Sequence, residues 1–302
     1  MPQVSILLAT YNGEDFLEMQ ILSIIGQSFQ DWELIIHDDG SHDETISIIN
    51  KWKQIDSRIR LVEDGVVFGN AILNFMHLLD FSSAEFTMFC DQDDIWLEKK
   101  VENMLTTIKQ KNNLKPQVVY SRAYVWDDYC INGIILPFYF PVRVKDFLFL
   151  NYGVNGCFSM FNVKMLELMK NQGDSQAMHD HVLQLLGITL GEVTYMREPL
   201  MLYRRHGNTV TNGSFKQSPV KRLLNNQNVP VIDKKHYEAI EVFYDNYNSI
   251  MNDDTSCLMK VYLDMPQMSL INRISNVVKY RFTIGESIWV LVSKIIVRPF
   301  FN

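Results

Sequence analysis

The chain has 302 residues, 47% of them hydrophobic, which is enough for one large domain with an appendage or for two domains. Its 35 Asp and Glu outnumber 28 Lys and Arg for a formal charge of -7, and this argues against nucleic acid as a partner, because that role calls for a basic surface. Cys90, Cys130, Cys157 and Cys257 lie far apart without CxxC or Cys/His spacing, so neither a disulfide framework nor a zinc site is expected, and a reducing cytoplasm fits.

From the N-terminus, the apolar run 4–9 predicts a buried strand ending at Thr10-Tyr11-Asn12-Gly13, a turn-and-cap cluster. No basic stretch or cleavage site precedes it, so no secretory leader is expected. Phe16, Met19, Ile21, Leu22 and Ile25 follow at helical spacing up to Gly26. A second strand over 32–37 ends at Asp38-Asp39-Gly40-Ser41, and a helix from about Asp43 carries Ile46, Ile48, Ile49 and Trp52. A third strand around 60–62 leads through Gly69 into a helix reaching Leu79. The fourth, Phe86-Thr87-Met88-Phe89-Cys90, stops at Asp91-Gln92-Asp93-Asp94, with a helix expected from Trp96. Beyond it, 118–121 reads as a strand, 137–155 as an aromatic loop region, Asn225-Asn226-Gln227-Asn228 as a linker and 234–302 as helices. The longest apolar stretch, 284–301, is broken by Glu286, Lys294 and Arg298, so no membrane span is expected. The alternation predicts an α/β fold: an open, mainly parallel sheet with helices on both faces. Ligands in such sheets bind beyond the carboxyl ends of the strands, where the polar strand ends should converge.

Asp91, Asp93 and Asp94 set three carboxylates within four residues. Like charges so close are unfavourable without a cation, and a hard divalent metal sharing its shell with phosphate oxygens suits the spacing. A helix cap needs only one of them, and an EF-hand is excluded because its Gly and distant Glu are missing. Asp38-Asp39-Gly40-Ser41-His42-Asp43 is either turn chemistry, with Asp43 as a cap, or a strand-end carboxylate that accepts a base or ribose hydrogen bond. No GxGxxG follows the first strand, which weighs against a Rossmann dehydrogenase. His179-Asp180-His181 precedes the helical pattern Val182, Leu185, Leu186. It reads as an N-cap or as a general base, a carboxylate held between imidazoles; as metal ligands the histidines would share a face only on a strand. Arg204 and Arg205 follow the apolar run Pro199-Leu200-Met201-Leu202, where paired arginines are either solvated surface or a diphosphate fork, and His206 could add a neutral metal ligand.

Taken in order along residues 3–210, these segments resemble the family 2 nucleotide-sugar glycosyltransferases of GT-A fold. The likeness covers the stretch from Val4 through Gly13, Gln27-Ser28-Phe29, and the stretch from Trp32 through Ser41. Cys90-Asp91-Gln92-Asp93-Asp94-Ile95-Trp96 resembles the metal-binding DxD motif, and Asn155-Gly156-Cys157 the small-residue loop beneath the sugar. His179-Asp180-His181 stands where the family's acidic base motif often reads Glu-Asp, and the segment from Glu198 to Asn208 is similar to the closing segment of bacterial rhamnosyltransferase-like members.

The resemblance implies a single Rossmann-like sheet flanked by helices over 1–212 and a helical region over 213–302. It implies inverting transfer from a UDP- or dTDP-sugar to a hydroxyl of a glycan or lipid-linked glycan, in bacterial O-antigen, lipopolysaccharide or capsule synthesis, with a tilt toward rhamnose. Ala9, Tyr11, Asp39 and Asp91 would line the nucleotide pocket, Asp39 accepting from the N3–H of uracil or thymine. Asp91, Asp93, Asp94 and His206 would serve Mn²⁺ or Mg²⁺, and Arg204, Arg205 and His206 the diphosphate. Asp180 would take the acceptor proton, with Asn155, Gly156, Cys157, Trp96 and His179 around the sugar or acceptor. Near the C-terminus Arg273, Lys279, Arg281, Lys294 and Arg298 accompany Ile288, Trp289, Leu291 and Ile295 against the one acid Glu286. This tail is either a peripheral anchor on the inner face of the cell membrane or a helix packing back on the catalytic domain. The rival readings are a nucleotidyltransferase, which favours a Gly-rich basic loop after the first strand that is missing here, and a non-catalytic carbohydrate-binding protein.

Overall fold

The first apolar run becomes β1 (Val4–Thr10), buried on both faces save half-buried Ala9, as a central parallel strand covered by helices requires. The structure, a computed structural model, describes residues 1–111, 113–135, 140–151, 153–171, 179–205 and 228–301. Strands β2 (Trp32–Asp38) and β4 (Phe86–Cys90) flank β1 in parallel, and β3 (Ile59–Leu61) adds outside β2. Helices α1 (Leu17–Ile25), α2 (Thr45–Ile55) and α3 (Ala71–Leu79) make the crossovers.

The chain continues through β5 (Ile95–Trp96), α4 (Lys100–Lys109), β6 (Gln117–Trp126), β7 (Ile131–Ile135) and α5 (Val144–Phe147). It then forms β8 (Ser159–Asn162), α6 (Val163–Lys170), α7 (His179–Thr189) and β9 (Glu192–Arg204). Sheet order is β3-β2-β1-β4-β8-β6-β9-β5, with β7 on β6. The long ladders are parallel; β8 runs against both its neighbours, β7 against β6 and β5 against β9. Trp96, expected to open a helix, instead pairs with Met201, as Ile95 does with Leu202, and the helix starts at Lys100. A partner a hundred residues away satisfies their backbone, and no local pattern announces it.

Register decides what meets at the carboxyl edge. Thr10 lies opposite Asp38, and Leu8 opposite Cys90, so the ends of β1, β2 and β4 are level. Because β8 is antiparallel to β4, its start, with the 3-10 turn Gly156–Phe158 before it, arrives at the same edge.

Four helices close the chain: α8 (Lys234–Tyr247), α9 (Asp253–Asp264), α10 (Leu270–Tyr280) and α11 (Ile288–Val297). Asp233, Asn252, Ser269 and Ser287 cap them through side-chain oxygens, as the polar residue before each apolar pattern suggests. Ile240, Phe243, Met259, Tyr262, Phe282 and Leu291 belong to the same buried cluster as β1. His236 Nε2 donates to Leu148 O at 2.8 Å and Thr283 Oγ1 to Asp146 at 2.8 Å, fastening these helices to α5 and the segment after it. The expected boundary at 212/213 and most of the expected linker lie outside the described residues. No described helix is long and apolar enough to cross a membrane. Helix α11 buries Leu291, Val292 and Ile295 against the body, while Trp289 stays 74% exposed beside exposed Ile296 and Val297.

Candidate active site

A cavity of about 590 Å³ opens at the carboxyl edge of the sheet. It collects Ala9 and Tyr11 from the end of β1, Asp39 from the end of β2, and Asp91 and Asp93 from the end of β4. Asn155 and Gly156 come from the turn before β8, and His179 and Asp180 from the start of α7. The structure sets Asp94, Cys157, Trp96 and Arg204 behind this wall rather than on it.

At the end of β2 the two aspartates divide. Asp38 closes the turn, accepting from Thr10 Oγ1 at 2.8 Å, Ser41 N at 2.8 Å and Gly40 N at 3.1 Å. Asp39 accepts from the backbone amides of Phe68 at 2.5 Å, Gly69 at 3.1 Å and Asn70 at 2.9 Å, holding the loop that enters α3. Its Oδ1 takes two of these and Oδ2 one, so Oδ2 keeps a lone-pair direction for a further donor from the cavity. The loop-holding role was not legible in the sequence, since Phe68 to Asn70 are remote from Asp39 along the chain.

Gln92 was also missed, although an amide amid three acids was its signal. Its Oε1 accepts from Tyr11 N at 2.9 Å and its Nε2 donates to Tyr11 O at 3.0 Å, so the side chain ties the acidic loop to β1 like an added rung. A Cβ on Gly13 would stand 2.5 Å from that Oε1, which explains the glycine.

Beneath the loop, Asp94 is buried; Oδ1 accepts from Arg204 N at 3.1 Å and Oδ2 has no hydrogen-bond partner. Lys100 is fully buried too, donating to Cys157 O at 2.6 Å and lying 4.1 Å from the centre of the Trp96 ring. Burial and the Asp93 charge raise the Asp91 carboxyl, the Cys157 thiol opposing them by hydrogen bonding to it. Burial, with Asp91 and Asp93, raises Asp94 as well. Burial lowers Lys100, the internal counter-cation to this cluster, which carried no sequence signal. One donor atom each of Asp91, Asp94 and Cys157 lies within 4.8 Å of the others, but burial pushes the thiol well above its ordinary range, so it stays a donor. Asp94 Oδ2 without a hydrogen-bond partner, beneath the Asp91 and Asp93 carboxylates on the cavity wall, fits a hard divalent ion held from the cavity by Asp91 and Asp93. Trp96 and Cys157, expected around the sugar, are corrected to supports: the indole carries Lys100, and the thiol serves Asp91.

The helix beginning at His179 turns successive side chains about 100° apart, so Asp180 is not held between imidazoles and the two histidines cannot share a metal. His179 wedges between Phe75 and Phe89, with ring centres 4.3 and 4.7 Å away, and a Cβ on Gly156 would come within 2.7 Å of its Nε2. Burial lowers it to about 3, so it stays neutral. His181 turns away, stacking on His236 of α8 at 4.8 Å, and burial keeps it neutral as well. Asp180 alone of the three remains an acid-base group. Burial raises its carboxyl to about 7, the His181 amide at 2.6 Å opposes this, and the Asp91 charge adds to the rise.

Arg204 does not face the cavity. It is 4% exposed, with its guanidinium between the Phe16 and Trp126 rings at 4.6 and 4.3 Å. Its Nε donates to Asp93 O at 2.7 Å and its other end pairs with Asp128, so it braces the acidic loop instead of forking a diphosphate. The Arg205 amide donates to Trp126 O at 2.8 Å, and His206 lies outside the described residues.

A family model described as Glycosyl transferase family 2 matches residues 5–169. Relatives include the dTDP-rhamnosyl transferase RfbG of Shigella flexneri, 29% identical over 240 residues, 72% of this chain and 78% of that protein. A second is the UDP-Glc:alpha-D-GlcNAc-diphosphoundecaprenol beta-1,3-glucosyltransferase WfaP of Escherichia coli, 27% identical over 257 residues, 83% and 95% of the two chains. Among solved structures, S. aureus TarS 1-349 in complex with UDP superposes with a TM-score of 0.59 at 12% identity, covering 90% of this chain and 74% of that one. Mannosyltransferase PcManGT from Pyrobaculum calidifontis, in complex with GDP-Man and Mn²⁺, gives 0.54 at 15% identity, covering 98% and 86%.

Proposed function

The chain belongs to glycosyl transferase family 2, and on that footing we propose that it moves a sugar from a UDP- or dTDP-sugar to a hydroxyl of a glycan or lipid-linked glycan, with inversion. One observation carries the reading: a carboxyl raised to about 7 shares one cavity with a nucleotide-sized pocket and an acidic cluster. A base near neutrality is matched to taking a hydroxyl proton at physiological pH, a contribution of ~10²–10⁴-fold.

Ala9, Tyr11 and Asp39 would enclose base and ribose, the lone pair left on Asp39 Oδ2 accepting the imino N–H. Asp91 and Asp93 would hold Mn²⁺ or Mg²⁺, which when bound supplies positive charge to the departing diphosphate. Asn155, Gly156 and neutral His179 would border the sugar, and Asp180 would receive the acceptor proton at its carboxylate. The names of RfbG and WfaP, a dTDP-rhamnosyl and a UDP-glucosyl enzyme, support the donor class. The diphosphoundecaprenol acceptor of WfaP, together with exposed Trp289, Ile296 and Ile271 among basic residues, supports peripheral contact with an anionic membrane.

Testing needs a panel of UDP- and dTDP-sugars with Mn²⁺, read first by thermal shift and then by acceptor-dependent nucleoside diphosphate release. One donor should stabilise the protein and turn over. No stabilisation and no release across the panel would sink the reading.

A further inference from the structure

Away from the cavity, three potential metal ligands converge that the chain carries far apart: His37 on β2, Asp64 in the turn after β3, and His77 on α3. None lines the cavity. His37 Nε2 stands 3.4 Å from Asp64 Oδ1 and His77 Nε2 2.6 Å from Asp64 Oδ2, and one donor atom of each lies within 4.8 Å of the other two.

The surroundings orient all three. Asn74 Nδ2 donates to His37 O at 3.3 Å, which turns Asn74 Oδ1 onto His37 Nδ1 at 2.7 Å. An amide oxygen only accepts, so His37 Nδ1 carries a proton and leaves Nε2 facing a carboxylate oxygen. A ring nitrogen and a carboxylate oxygen facing across 3.4 Å leave a place for a cation, and a far nitrogen fixed by an oxygen is how ligating histidines are held. Val66 N donates to Asp64 Oδ1 at 3.0 Å and sets that carboxylate. Phe68 packs on both imidazoles, at 5.8 and 5.2 Å, and Phe81 on His77 at 5.1 Å. The His77 and Asp64 side chains stay 23% and 29% exposed, so an ion can enter from solvent.

Two imidazole nitrogens and one carboxylate select a borderline metal over the hard ions that suit the cavity's oxygens. Tetrahedral zinc, with bonds of about 2.0–2.1 Å, spaces adjacent donors about 3.3 Å apart. The His37–Asp64 edge is already at that spacing, and the His77–Asp64 contact reaches it by a small rotation of a part-exposed ring. We propose that His37 Nε2, Asp64 and His77 Nε2 form a zinc site, with water as the fourth ligand, that clips the loop between β3 and α3 to the sheet. The same loop presents the Phe68, Gly69 and Asn70 amides to Asp39, so the ion stiffens one wall of the cavity.

The test is calorimetric titration of the metal-free full chain with Zn²⁺, in the wild type and in an Asp93→Ala background that disables the acidic cluster. One zinc equivalent should bind in that background, weakened at least about tenfold by adding His77→Ala or the gentler surface change Asp64→Asn. Zn²⁺, and not Mn²⁺, should slow hydrogen exchange of the amides of 66–70. Absence of zinc binding, binding undiminished by both added substitutions, or binding lost on Asp93→Ala alone would overturn the proposal.

Discussion

Replacing Asp180 by Asn separates catalysis from stability, because the group proposed as base is also a destabilising buried charge. Its carboxyl titrates at about 7 in the folded chain against an ordinary 3.8. At about 1.36 kcal/mol per pH unit, the ionised form costs the fold at most about 4 kcal/mol, a ceiling because the side chain stays partly open to the cavity. The sign follows from proton binding: the raised folded value means the folded state holds its proton while the unfolded chain has lost it. The wild type therefore loses stability as pH rises from about 4 through about 7, and Asp180→Asn, uncharged throughout, does not. Urea denaturation without divalent metal should show the Asn variant more stable at pH 8 and equal to the wild type below pH 4. Its turnover, read as nucleoside diphosphate release, should fall ~10²–10⁴-fold while donor binding persists. Wild-type turnover should rise with pH along a limb centred near 7. A variant that keeps its turnover, or is no more stable at pH 8, would refute the reasoning.

Asp93→Ala should remove metal-dependent nucleotide binding in calorimetry; unchanged affinity would reduce the acidic loop to a turn between β4 and β5. Gly156→Ala sets a Cβ 2.7 Å from His179 Nε2 and should destabilise the chain by about 1–3 kcal/mol in denaturation, with wild-type stability counting against the wedge. Lys100→Met removes the buried ammonium that faces Asp91 and buried Asp94, and should cost about 3–5 kcal/mol, measured the same way. Trp289→Glu should weaken co-sedimentation with anionic vesicles while leaving the thermal midpoint near that of the wild type, as its 74% exposure implies; undiminished sedimentation would remove the membrane contact.

The parallel half of the fold was legible because its cause is local. Residues apolar on both faces, as in Val4–Thr10, suit only a strand covered by helices on each side, and Asp-Gly or Thr-Tyr-Asn-Gly endings stop it. Family membership was legible for the same reason: its motifs are strand ends, each read within a few residues. What misled was local pattern where a distant partner decides, as at Trp96, which pairs with β9.

Residue types and order along the chain were thus enough to determine the parallel strands β1 to β4, the helices between them and the acidic loop that follows β4. Tertiary structure alone decided which of those acids face the cavity and which lie under it. It put neutral Gln92 into the ladder and buried Lys100 as the counter-charge. It turned Arg204 from ligand to brace, parted Asp180 from its histidines, and brought His37, Asp64 and His77 together. Sequence spacing reports direction along one element, whereas charge balance and burial depend on what other elements deliver to the same point in space.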